Sequence, residues 1–180
     1  MKTKLSYFVH GTTVDNENNI SSGWSDVELS DLGIKQSIEL WEKIKARDFD
    51  IVFCSDLKRA VHSADLVFGG KVQIIQDKRL RECNYGEYNG SPSTEVDKIR
   101  EQIIDDRFPS GESYKDVEAR MKSFLDDLVK SYKGKSVAIV SHQGPQLALD
   151  VLLKGMSWEE ALKNDWRKTK SWQPGWTYVI

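Results

Sequence analysis

The chain has 180 residues, 39% hydrophobic and 30% charged, with a net charge of −2 from 26 basic and 28 acidic side chains. This is the usage of one ordinary globular domain and excludes a disordered, collagen-like or low-complexity chain. The near-neutral balance gives no electrostatic ground for nucleic acid or an anionic membrane as partner, and no apolar run reaches the ~18 residues of a bilayer span. Residues 1–9 lack the small-residue cleavage site of a secretory signal. Cys54 and Cys83 are too few for a disulfide scaffold and lack metal-ligand spacing, so a reducing, cytoplasmic setting is expected.

A first strand is predicted over residues 5–9. A helix over 31–46 follows, with Leu32, Ile38, Trp41 and Ile44 on its inner face. The run Ile51-Val52-Phe53-Cys54 reads as a second strand. The next helix starts after Ser55 as N-cap and turns Leu57, Ala60, Val61, Ala64 and Val67 inward. A third strand is predicted over 72–75. Residues 94–105 read as a short solvated helix with Val96, Ile99 and Ile103 toward the sheet. A longer helix follows Ser113 and buries Val117, Met121, Phe124, Leu125 and Leu128. A strand over 137–140, a helix over 146–153 and a helix from Ser157, whose pairing with Glu160 makes a capping box, come next. A late strand is predicted over 176–180. Continuously apolar, β-branched strands are buried on both faces. Their alternation with helices predicts an α/β three-layer sandwich with a mostly parallel central sheet, residues 1–180 forming a single domain.

Such sheets bind ligands beyond the C-terminal ends of their strands. The first strand is followed by His10-Gly11-Thr12-Thr13, and the second by Ser55 and then Arg59. The third is followed by Arg81-Glu82, and the strand over 137–140 by Ser141-His142-Gln143-Gly144. Two of the chain's three histidines, an arginine and a carboxylate therefore converge on one rim. Neither Gly-rich nucleotide fingerprint nor a Gly-x-Ser-x-Gly elbow is present. Two imidazoles and Arg59 suit an anion with several oxygens. Glu82 would repel that anion unless it carried a proton, the arrangement of a general acid beside a phosphoryl group.

The motifs resemble those of the histidine phosphatase superfamily, also called the phosphoglycerate mutase-like family. Its opening Arg-His-Gly-x-Thr reads Val9-His10-Gly11-Thr12-Thr13 here, followed by Asn16. Gly23, Asp26, Leu29, Ser30 and Gly33 match its Gly-x-x-Asp-x-x-Leu-Thr-x-x-Gly segment. Ser55-Asp56-Leu57-Lys58-Arg59-Ala60 matches its Ser-x-Leu-x-Arg-Ala helix start, and Leu80-Arg81-Glu82 with Gly86 and Gly90 its Leu-x-Glu segment. Gly111-Glu112-Ser113 and Val140-Ser141-His142 complete six motifs in order, over about residues 4–153.

The resemblance implies a phosphomonoester or phosphate as small-molecule ligand and a phosphohistidine intermediate, with no cofactor and no metal ion. His10 would be the nucleophile, Arg59 the phosphate clamp, His142 a donor to the phosphoryl group and Glu82 the general acid. Gly11 and Asn16 would add phosphate contacts, and residues 91–113 would form a short cap. Valine at position 9 departs from the family's arginine, and losing such a donor costs on the order of 10²–10³ in rate. Thr13, a water, a backbone N–H near Gly11, or His62 on the same helix as Arg59 are candidate substitutes. Three activities remain open: a phosphomonoesterase, a phosphoglycerate mutase-type phosphotransferase, and a phospholigand-binding protein. Only 29 residues separate Glu82 from Glu112, a spacing that resembles the phosphatase branch. The tail carries Trp158, Trp166, Trp172 and Trp176, suited to docking on the domain or to a homodimer contact, so monomer and homodimer both stay open.

Overall fold

The computed structural model describes residues 2–169 and 175–180. In chain order the elements are β1 (Lys4–Val9), α1 (Val14–Glu17), β2 (Ile20–Ser21), α2 (Asp31–Ile44), β3 (Ile51–Cys54), α3 (Lys58–Phe68) and β4 (Ile74–Gln76). Then come β5 (Ser91–Pro92), α4 (Ser93–Ile99), α5 (Tyr114–Ser131), β6 (Ser136–Ser141), α6 (Gln143–Lys154), α7 (Trp158–Lys163), α8 (Trp166–Thr169) and β7 (Trp176–Val179). The main sheet has the order β4-β3-β6-β1-β7, and β2 pairs with β5 in a separate ladder. β1, β6, β3 and β4 run parallel; β7 closes the edge antiparallel to β1.

The alternation of side chains along each strand sorts the core into two clusters. Leu5, Tyr7, Ile51, Phe53, Val137 and Ile139 point to the face covered by α5 and α6. Phe8, Val52, Cys54, Ala138 and Val140 point to the face covered by α2 and α3, where Phe8, Phe49 and Phe68 pack edge-on or tilted. Three layers result, with the central strands dry on both sides, as their unbroken apolar runs predict.

Several elements depart from the sequence expectation. The inner face of α2 is Gly33, Ser37, Leu40 and Ile44, while Leu32 and Ile38 are about half exposed. Small residues take the inner position because the chain after β1 crosses the start of α2 in backbone contact: a Cβ on Gly11 would overlap the Gly33 carbonyl. α3 is capped from a distance. Its N-cap is Leu57, Ser55 Oγ accepts only the Leu57 N–H, and Asp26 Oδ1 accepts the Lys58 N–H at 2.7 Å. The third strand starts two residues later than expected, although the Gln73 carbonyl already accepts from Val52. The helix expected over 94–105 ends at Ile99, and its supposedly solvated Arg100 is almost fully buried.

α7 carries the expected capping box between Ser157 and Glu160. In the tail, Trp158 is buried and stacks on Tyr114, and Trp176 lies in β7 against Tyr7. Trp172 lies outside the described residues. No helix among the described residues is long and apolar enough to cross a membrane.

Candidate active site

The parallel register pairs Val9 with Ser141, so the residues that follow, His10 and His142, leave β1 and β6 side by side. The His10 N–H donates to the Ser141 carbonyl at 3.0 Å. The two rings meet edge to face with centroids 5.0 Å apart. His10 Nδ1 lies 2.7 Å from the Gly11 carbonyl, an acceptor only, so Nδ1 carries the proton and Nε2 keeps its lone pair. Burial lowers the His10 pKa to about 3, helped by the charge of Arg59. Burial also holds His142 well below the usual histidine range, with Arg59 and then His10 adding to the effect. Both imidazoles are therefore neutral near pH 7.

His142 is fully buried, yet among the described residues neither ring nitrogen has a hydrogen-bond partner. Its backbone is fixed instead: the Tyr7 hydroxyl donates to the His142 carbonyl and accepts its N–H. A buried imidazole with an unpartnered ring calls for an explanation, and this ring packs against His10, which borders the pocket while His142 itself does not.

Arg59, buried on the first turn of α3, donates through Nη2 to the Gly23 carbonyl (2.6 Å) and through Nη1 to the Ser25 carbonyl (2.9 Å). These bonds fix the plane of the guanidinium and leave three N–H groups over. Glu82 sits at the N-terminus of α6. Its Oε1 accepts from Cys83 N and Gly144 N, and its Oε2 from Gln143 N. A Cβ on Gly144 would overlap Oε1, so glycine is required for this approach. The Glu82 carbonyl is gripped by Trp24 Nε1 and by Arg120, which is itself paired with Glu112. Glu82 is thus a carboxylate set into the pocket wall, with one lone-pair site on Oε2 beyond these three bonds.

Other expected contacts are relocated. The Gly11 N–H is spent on Ser63 Oγ, so it is not available to a ligand. Thr13 is fully buried and caps α1. Asn16 does line the pocket, with its Oδ1 held by the Thr13 N–H. His62 opens on a separate groove with Glu28, Asp56, Lys58 and Asp65, and so does not substitute for an arginine at position 9. Val9 ends β1, packs against the core on the α6 side and lines the pocket wall.

The pocket has two lobes. A cavity of about 410 Å³ is bordered by Val9, His10, Gln36, Glu82, Trp166 and Arg167. A recess of about 60 Å³ brings together His10, Arg59, Glu82, Tyr85 and Arg167. Arg167 carries no motif that marks it in the sequence. The same is true of Asp165 and Arg100, which hold it in place. Arg120, also unmarked by any motif, lies on α5 and pairs with Glu112 just before that helix. Among the described residues no group of three or more His, Cys, Asp or Glu side chains is placed to hold a metal ion.

An α/β sandwich with opposed neutral imidazoles and a guanidinium at its strand ends has the chemistry that suits an oxyanion. A family model described as the histidine phosphatase superfamily (branch 1) matches residues 8–173, and the chain belongs to that superfamily. Among curated relatives, the 2,3-bisphosphoglycerate-dependent phosphoglycerate mutase of Mesorhizobium japonicum is 34% identical, with 91% of this chain and 87% of that protein covered. Among solved structures, the α-ribazole phosphatase of Shigella flexneri is 26% identical with a TM-score of 0.78, over 91% of this chain and 84% of that one. A mycobacterial glucosyl-3-phosphoglycerate phosphatase solved with VO3 is 28% identical with a TM-score of 0.76, over 89% and 86%.

Proposed function

We propose that the protein is a phosphomonoesterase that works through a phosphohistidine on His10. The observation that carries this reading is the pair of opposed imidazoles. One has its tautomer set so that Nε2 offers a lone pair, and the other is buried with no hydrogen-bond partner for its ring among the described residues. In the first step His10 Nε2 attacks phosphorus, the bond from phosphorus to the alcohol oxygen breaks, and that oxygen takes a proton from Glu82. His142 and Arg59 donate to the equatorial oxygens, where charge spreads in the transition state. In the second step water attacks phosphorus, Glu82 takes its proton, and the P–N bond electrons return to Nε2. The unclaimed site on Glu82 Oε2 is where that proton is held. His10 is only partly buried while His142 is fully so, which gives water a route to the phosphorylated side.

The curated relatives named as mutases support a second reading, transfer of the phosphoryl group between hydroxyls of phosphoglycerate. The short spacing from Glu82 to Glu112 favours hydrolysis. The test is phosphate release from p-nitrophenyl phosphate and a panel of metabolite monoesters, in EDTA, by the protein and by His10→Ala. The protein should hydrolyse some members, and the variant should fall by on the order of 10⁴-fold or more, as removal of a nucleophile does elsewhere. No release from any member overturns the reading. Conversion of 3- to 2-phosphoglycerate faster than hydrolysis replaces it with the mutase.

A further inference from the structure

We infer that Arg167, from the C-terminal segment, supplies the guanidinium that Val9 cannot, and binds the phosphoryl group beside His10. The inference rests on the reading of this pocket as a phosphoryl site. Three observations lead to it. The first is position. Arg167 borders both lobes, sharing the larger with Val9 and His10 and the smaller with His10, Arg59 and Glu82. A long side chain rooted at position 9 would enter the same space.

The second is charge. His10 and His142 are neutral, and Glu82 contributes an acidic group beside Arg59. A phosphomonoester dianion placed there meets one full positive charge from Arg59, too few for a doubly charged guest next to a carboxyl. The nearby Arg81 and Arg120 are committed to Asp56 and Glu112.

The third is the way Arg167 is held. Asp165 is fully buried and accepts from Arg167 through Nε and Nη2, the latter at 2.9 Å. The same Oδ2 accepts from Arg100 Nη1 and Gln143 Nε2, both at 3.0 Å. Arg100 in turn donates to the Tyr114 hydroxyl and to Gln143 Oε1. Two guanidinium groups share one buried carboxylate, which leaves a positive excess facing the pocket; among the described residues the one further acid ion-paired with them is the half-exposed Asp97, at 3.4 Å from Arg100 and 3.9 Å from Arg167. Arg167 Nη1 makes no hydrogen bond among the described residues, and the side chain stays 38% exposed, so a donor edge is left for a ligand. Gln143 follows His142 directly, so the network ties the tail to the wall that carries the second histidine.

The test is calorimetric titration with inorganic phosphate. Arg167→Ala should weaken binding about 10- to 100-fold, the scale of one charge-assisted hydrogen-bonding partner, and Arg167→Lys should weaken it less. Val9→Arg should restore most of the loss in the Arg167→Ala background and add little to the natural protein. That rescue also shows that Arg167→Ala is folded. His62→Ala should bind as the natural protein does. Wild-type affinity in Arg167→Ala overturns the inference, as does an equal gain from Val9→Arg in both backgrounds. Phosphate binding that depends on Arg167 in a protein without phosphatase activity keeps this inference and ends the phosphatase reading. Phosphorylation of His10 with binding indifferent to Arg167 does the reverse. No phosphate binding by the natural protein overturns both.

Discussion

The two walls of the pocket are built in opposite ways. One is made of strand ends: His10 and His142 stand together because β1 and β6 are hydrogen-bonded neighbours in register, and no side-chain interaction is needed to bring them there. The other is made of side chains that hold one another: Asp165, Arg100, Gln143 and Arg167 come from three separate segments and meet only through charge-assisted hydrogen bonds. Both walls join residues far apart in the chain, but the first is set by backbone pairing and presents neutral rings, and the second is set by side chains and presents charge. In the proposed mechanism the first wall positions the nucleophile for attack at phosphorus, and the second supplies charge to the anion.

Changes to the strand-end wall should cost the most. Gly144→Ala places a Cβ against Glu82 Oε1 and must push the carboxylate away from α6. Turnover of a monoester substrate should drop about 10²-fold, the usual cost of a 1 Å misplacement, while phosphate binding changes little. Turnover within twofold of the natural protein would show that the Glu82 position is not critical. Substitutions of Arg167 should do the opposite and weaken binding of the anion first.

A smaller effect should appear in the pH dependence of stability. His10 and His142 have folded pKa values below the unfolded value of about 6.5, so the unfolded chain takes up protons that the folded chain refuses. Their contribution is fully present above about pH 6.5 and is progressively lost as pH falls below it, for His10 down to about 3. The limiting slope is about 1.4 kcal/mol per pH unit for each such proton. Urea titrations between pH 7 and pH 5 should show the loss, and His10→Gln/His142→Gln should flatten it. Below that range Asp50, Asp56 and Asp116, whose carboxyl groups are held low chiefly by Lys135, Arg81 and Arg107, add an acid loss of their own. An unchanged slope in the double variant would mean that the two rings are not buried as neutral groups.

The contrast between the walls also explains what the sequence made legible. The strand-end residues could be found because apolar runs mark strands, and the residue after each run must lie on one rim. His10, Arg59, Glu82 and His142 all fall there. The inner face of α2 could not be found that way: hydrophobicity pointed to Leu32 and Ile38, while close backbone contact required Gly33, and Ser37 is buried through hydrogen bonds to the Gly33 carbonyl and Ser63. Arg100 looked like one more charge on a solvated helix, because nothing local announces a partner 65 residues away. Arg167 is hidden for the same reason: His62 shares the helix of Arg59 but opens on another groove, whereas Arg167, more than 100 residues beyond Arg59, borders the pocket.

The central claim is that His10 carries the phosphoryl group. The most direct measurement is intact-protein and peptide mass spectrometry of samples quenched in alkali after mixing with a phosphomonoester that the protein turns over, or with acetyl phosphate. The account predicts a gain of one phosphoryl group, acid-labile and alkali-stable, on the peptide containing His10, and none in His10→Ala. Steady release of phosphate with no modification of His10 at any quench time, or modification that persists in His10→Ala, would contradict it.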